Sequence, residues 1–257
     1  MPKSIRQIIL FGVPIFVGVA NWFHPVHFGP TGVYQGLQAQ VGWWITLHVL
    51  NLFGFALLGW AAYLLIKDEQ GVAPLVAKVA LVIFIPTYIG FDSLIGIGTG
   101  TLIQYAKTLI LQELVVLEPA INAFWVSDVA TALAILGSVS WSVAMFATAV
   151  NFVSPKRRPA LIVLSAAAGT FTGWGYSSFS FGSLIWWIGV ALIGLAAFII
   201  GGTSLRTSML VLSGVLFGTT HVVPFGPLGM VCFLLAAILL EIKIAEVEIK
   251  TKAVMNA

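Results

Sequence analysis

From Gln7 to Ile66 the chain carries no Asp, Glu, Lys or Arg, and the same holds from Pro159 to Leu205 and from Thr207 to Leu240. Gaps of this length do not fit the surface of a soluble domain, where roughly 25% of residues are charged; here 8% are, and 60% are hydrophobic. A helix crosses a bilayer with about 20 apolar residues, so each gap holds two crossings joined by a turn. Apolar runs near Val76–Gly98 and Asn122–Ala149 add another pair. The expected fold is therefore all-α: one polytopic membrane bundle over residues 1–257, with about eight transmembrane helices built as hairpins. The spans are expected near Gln7–Phe23, Gly42–Ile66, Pro74–Gly98, Ile121–Val150, Arg158–Ser177, Phe181–Ile200, Thr203–His221 and Phe225–Ile242.

The net charge of +3 reports topology and no nucleic-acid partner, because the cations sit at span ends. Lys3 and Arg6, Lys67 and Lys78, Lys156–Arg158, Arg206 and the Lys243–Lys252 group fall at alternate ends of successive spans. The positive-inside rule makes those ends cytoplasmic, with both termini inside and the protein multi-pass in the cell membrane. Lys3, Arg6, the apolar run from Ile8 and the small residues Gly18 and Ala20 also resemble a cleavable signal; they are read here as a retained first helix. Residues 99–120 differ from the spans. Gln104, Thr108 and Gln112 line one side, Leu102, Ala106, Leu109, Ile110 and Leu117 another, and Lys107, Glu113 and Glu118 oppose insertion. An amphipathic helix lying on the outer face and ending at Pro119 is expected, and residues 243–257 are expected to form a cytoplasmic tail.

The later half reads as two copies of one hairpin. Arg158–Ser165 parallels Arg206–Ser213, and Phe181-Gly-Ser-Leu parallels Phe225-Gly-Pro-Leu. The turn phrase also occurs near the N-terminus, as His24-Pro-Val-His-Phe-Gly-Pro30 against His221-Val-Val-Pro-Phe-Gly-Pro227. Gly is expected there for a sharp reversal and Pro for the first turn of the returning helix. That leaves the histidine four residues before each Phe without a geometric reason; the middle copy has Ser177 at that place.

The expected topology puts all four histidines, His24, His27, His48 and His221, at or just below the outer face, with Asp92 and Asp128 at the depth of His48. Ionisable groups in hydrocarbon are costly and face the bundle interior, so His48, Asp92 and Asp128 are expected to share one. Neutral imidazole binds zinc, copper and iron, and a carboxylate on its other nitrogen fixes the tautomer. The candidate metal ligands are His24, His27, His48, His221, Asp92 and Asp128; the candidate cofactor is a transition metal, or a haem held axially by His48 and His221. The competing reading is structural, with His48 hydrogen-bonded to Asp92 as a tie between helices. On that reading the protein is a non-enzymatic membrane subunit, or a carrier or transporter for an apolar ligand. Partners besides the lipid bilayer are then an apolar small molecule or other membrane subunits.

Trp22, Phe23, Phe28, Tyr34, Trp43 and Trp44 crowd the first outer loop and Trp174, Tyr176, Phe179 and Phe181 the third, as an interfacial belt or as walls for a lipid or quinone headgroup. The pairs Gly96/Gly100 and Gly214/Gly218 have the spacing that lets helices approach closely. Cys232 is the sole thiol, which excludes an intrachain disulfide or a multi-cysteine metal cluster. Phosphate-binding loops, His-Glu-x-x-His and Gly-x-Ser-x-Gly are absent, so no familiar reaction is written in the sequence.

Overall fold

The computed structural model describes residues 1–25, 32–178 and 183–255, leaving aside the side chains of 174–178 and 248. Every regular element among the described residues is helical. In chain order they are α1 (Lys3–Trp22), α2 (Val33–Leu37), α3 (Val41–Ile66), α4 (Val72–Ala106), α5 (Leu111–Trp125), α6 (Asp128–Asn151), α7 (Arg158–Ser178), α8 (Leu184–Ile200), α9 (Leu205–Thr219) and α10 (Phe225–Met255). Five runs are long and apolar enough to cross a membrane: α1, α3, α4, the α5–α6 stretch and α10. The two apolar helices α8 and α9 are shorter. At 1.5 Å per residue α10 is roughly 46 Å long, well beyond a hydrocarbon core of about 30 Å, so it continues past any single crossing.

Six helices close a ring: α1 packs on α3, α3 on α4, α4 on α6, α6 on α9, α9 on α10, and α10 back on α1. With lipid outside there is little hydrophobic drive between helices, so contact rests on interlocking shape and hydrogen bonds. Trp141 on α6 donates to the Ser213 carbonyl at 3.2 Å, and Ser142 to the Gly214 carbonyl at 2.8 Å, tying α6 to α9. Ser208 on α9 donates to the Gly194 carbonyl of α8 at 2.7 Å. Inside the ring an aromatic column runs through Phe55, Phe84, Tyr88, Trp141 and Phe217, with Tyr88 and Phe217 stacked at 5.6 Å. Outside it Phe53, Val82, Val163, Ile188 and Leu192 are exposed, a girdle of apolar surface suited to lipid.

The two ends of the ring differ. At one, Arg6 and Glu241 join α1 to α10 by an ion pair of 2.8 Å, and Lys78 caps the carbonyls of Lys67 and Glu69 at 3.1 and 3.0 Å. The other end is roofed by α2, α5 and the last turns of α4. They bury Val33, Tyr34, Leu37, Trp44, Ile103 and Ile121 together, and Asn122 on α5 accepts a 3.1 Å hydrogen bond from the Val33 amide.

This roof corrects the expectation for residues 99–120. They do not form one helix: Thr99–Ala106 prolongs the third span, the chain breaks, and helix resumes at Leu111 and runs through Pro119 to Trp125. The reason is the buried side of the roof, since Ile103, Ala106 and Ile121 are drawn into one cluster from either side of the break. A second break at Val126 and Ser127 starts α6 later than expected, with Ser127 accepting from the Ala130 amide at 3.4 Å as an N-cap.

Candidate metal centre

Each of three histidines is placed by a different local device. The helix α1 ends at Trp22, and Pro25 bars its continuation, so His24 leaves the helix and turns inward. Its Nδ1 lies 2.8 Å from the Pro25 carbonyl. His48 sits mid-helix on α3, one turn after Trp44, with Nδ1 2.7 Å from the Trp44 carbonyl. A carbonyl only accepts, so both Nδ1 atoms carry the proton and both Nε2 atoms present a lone pair. His221 follows the end of α9 at Thr219, and its Nδ1 lies 3.5 Å from the Tyr88 hydroxyl of α4.

The three meet. The His24 ring stands edge-on to both others, with centroids 5.2 Å from His48 and 5.1 Å from His221, and 5.1 Å from Trp44. One ligand nitrogen from each histidine lies within 4.8 Å of the other two. All three rings are buried, and the Nε2 atoms of His24 and His221 have no hydrogen-bond partner.

Two glycines make the convergence possible. A Cβ on Gly96 of α4 would overlap the His48 ring, so only glycine lets α3 and α4 close on each other at this level. Trp44 locks the approach by donating to the Gly96 carbonyl at 2.7 Å. Gly96 lies within Asp92–Gly98, a stretch of π-helix, a local irregularity often found at functional sites. Gly226 plays the same part for His221: it lies in the first turn of α10, where a Cβ would run into the His221 backbone. The expectation that this glycine serves the backbone angles of a reversal is thereby corrected, since its φ is not positive. In the His221 phrase, the glycine is what allows the histidine to be there.

Beneath the histidines, one turn further toward the basic end, lies a second polar layer. Asn21 and Asn51 exchange amide hydrogen bonds of 3.1 Å in both directions, and Asn21 also donates to the Val17 carbonyl at 2.9 Å. The fully buried Asp92 faces the Asn51 amide, but neither carboxyl oxygen makes a well-formed hydrogen bond.

Of the expected ligands, then, His24, His48 and His221 come together, and Asp92 lies one layer below them. Asp128 does not join. It is exposed in the first turn of α6, because the break at Val126 and Ser127 puts it at a helix start, where a carboxylate complements the N-terminal dipole. His27 falls among residues 26–31, outside the described residues, as do Phe28, Phe179 and Phe181. The expected His48–Asp92 hydrogen bond is not formed; the backbone carbonyl of Trp44 takes that place. Tyr34 and Trp44 belong to the core, while Trp22, Phe23 and Trp43 are exposed as a belt would require. Sequence reasoning missed Tyr88 and the Asn21–Asn51 pair. Two amides inside otherwise uncharged spans were the available signal.

Since Asp128 stands apart, Asp128→Asn is expected to leave metal binding within about twofold of wild type, measured by metal titration of the purified protein. Comparison of the chain with known protein families, curated proteins and solved structures finds no match.

Proposed function

We propose that the chain is a multi-pass protein of the cell membrane in which His24, His48 and His221 hold one transition-metal ion, used in redox chemistry or metal handling. One observation carries this reading: three buried imidazoles converge, with one ligand nitrogen from each within 4.8 Å of the others, and the Nδ1 of each faces an oxygen, from Pro25, Trp44 and Tyr88. Metal-binding histidines are oriented in this way, by a partner that fixes the tautomer and aims the lone pair. Packing alone does not account for it, because a buried nitrogen left without a partner costs about 1–3 kcal/mol, and two such Nε2 atoms share this spot.

Three neutral nitrogens suit zinc, copper, iron or nickel. Metal–nitrogen bonds of 2.0–2.1 Å in tetrahedral geometry put ligand atoms about 3.4 Å apart, so the rings draw together as the ion enters. Three protein ligands leave a fourth position for water, substrate or a further ligand, which is the arrangement of a working site and not of a structural one. His27, three residues from His24, is the sequence's own candidate for that position. The His24 ring stands edge-on to both proposed axial ligands, with centroids 5.1–5.2 Å from theirs, which favours a bare ion over haem. Purified protein is accordingly expected to bind about one metal ion per chain and to show no Soret band. A Soret band, with the ion absent, would reverse the preference.

The eight-span topology with cytoplasmic termini and an outer-face site belongs to this proposal. Its support is the segregation of Arg6, Lys78 and Glu241 to the end of the ring opposite the histidines. Labelling single-cysteine variants in a Cys232→Ala background tests it. A cysteine at exposed Gln112 should react with an impermeant reagent on intact cells, and one at Lys156 should not. A second reading, a non-enzymatic subunit or apolar-ligand carrier, is favoured by the Asn21–Asn51 pair, which shows the bundle using buried polar groups as ties between helices.

A further inference from the structure

A cavity of about 950 Å³ lies between α4, α6, α7 and α9, separate from the polar layers described above except at one point, where His221 and Tyr88 form its end wall. Along α7 it extends from Arg158 to Gly173, about 22 Å at 1.5 Å per residue, so it is narrow and runs much of the depth of the bundle. Its mean cross-section is then roughly 40 Å², an elongated space in which extended hydrocarbon can lie.

The wall is more apolar than its composition suggests. Ser142 donates to the Gly214 carbonyl, Thr172 to the Ala168 carbonyl at 2.8 Å and Thr219 to the Val215 carbonyl at 2.7 Å, so these hydroxyls spend their protons on backbone. Ser138, Thr220 and Tyr88 also line it, and three further polar groups mark its length. Arg158 stands exposed at the basic end and, among the described residues, is the only charged one lining the cavity. The Ser165 hydroxyl, nine-tenths buried and without a partner, lies two turns further in. His221 closes the far end.

From this distribution we infer that the cavity binds a single-chain anionic amphiphile, with its headgroup at Arg158 and its hydrocarbon chain laid along α7 toward His221. Guanidinium pairs well with carboxylate or phosphate, and the start of α7 adds its own partial positive charge at the same place. A neutral amphiphile gains nothing at that end, and a headgroup placed at the His221 end would leave the arginine facing hydrocarbon. That the chain's end arrives beside a metal rests on the metal reading above and makes the amphiphile the substrate or cargo of that site. That the cavity holds the amphiphile does not rest on it.

The glycines of α7 supply a clean test. Added Cβ atoms at Gly169 and Gly173 meet nothing within 4 Å, so larger side chains there enter the cavity without disturbing the helices. Native mass spectrometry and titration with palmitate, after metal removal by chelation, should show one palmitate per chain. Gly169→Leu combined with Gly173→Leu should weaken binding by tenfold or more, and Arg158→Gln should weaken palmitate while leaving the weaker binding of hexadecanol unchanged. Co-purified lipid distinguishes the source: an anionic lysophospholipid such as lysophosphatidic acid identifies a membrane lipid, and palmitate alone identifies a free fatty acid, either of which supports the inference. Equal binding of palmitate and hexadecanol, or binding unaffected by the Gly169/Gly173 variant in protein of wild-type thermal stability, would overturn it. Because the titration is done on metal-free protein, failure of the metal reading leaves its outcome untouched.

Discussion

His48→Ala is expected to take the protein from about one bound metal ion per chain to none at micromolar metal, a loss of affinity greater than ~100-fold. The expectation follows from the place of His48 in the cluster: its Nδ1 is committed to the Trp44 carbonyl at 2.7 Å, which leaves Nε2 as a preset lone pair, and one ligand nitrogen from each of the three histidines lies within 4.8 Å of the other two. Loss of an outer-shell partner alone costs 10–100-fold in metal affinity, and loss of one of three ligands costs more. His24→Ala and His221→Ala should behave alike, since each leaves only two ligands. Isothermal titration with zinc, on variants shown to remain monodisperse, reads the effect directly. If the three single variants bound zinc as wild type does, the cluster would be a packing feature and the structural reading would take its place.

Gly96→Ala carries the other large effect, because the new methyl would occupy the volume of the His48 ring. Overpacking of this kind costs about 1–3 kcal/mol, and here it can be relieved only by separating α3 from α4 or by turning His48 out of the cluster. Either movement breaks the 2.7 Å hydrogen bond from Trp44 to the Gly96 carbonyl. Lower thermal stability and weakened metal binding should therefore appear together. The matched control is Gly42→Ala, near the start of α3, where an added Cβ meets nothing within 4 Å. There the same change should be neutral or stabilising. A Gly96→Ala protein with wild-type stability and metal affinity would mean that α3 and α4 do not approach as closely as described.

The residues that announce these effects were readable to different degrees. Long uncharged runs state helical crossings almost by themselves, because a backbone in lipid must satisfy its own hydrogen bonds. The inward placement expected of His48 and Asp92 followed from the cost of leaving such groups in hydrocarbon, while His24 and His221 were expected only at or just below the outer face. What periodicity could not supply was register. A shift of a few residues in a helix start moved Asp128 from the expected interior to an exposed first turn, and the break at Val126 and Ser127 that caused it falls inside an apolar run that reads as continuous helix. Partner choice was equally hidden. His48 was expected on Asp92, yet the carbonyl one turn back on its own helix is always within reach, and Asp92 faces Asn51 instead. The pair Gly96/Gly100 was read as generic close packing. Only three dimensions reveal that the space opened at Gly96 is filled by a histidine ring.

The repeated phrase that joins His24 and His221 also changes meaning. In its second occurrence, Gly226 admits the His221 backbone, so histidine and glycine form one device. His24 follows the end of α1 and His221 the end of α9, and α10 packs against both of these helices, which is how residues almost two hundred positions apart come to lie with ring centroids 5.1 Å apart.

X-ray absorption at the metal edge reads the proposed three-histidine metal centre itself. Protein purified without chelators, or reconstituted with zinc, should show three imidazole nitrogens at 2.0–2.1 Å with their outer-shell scattering, and a lighter scatterer in the fourth position. Folded protein that takes up no ion, or an ion held by fewer than three imidazoles, would contradict it.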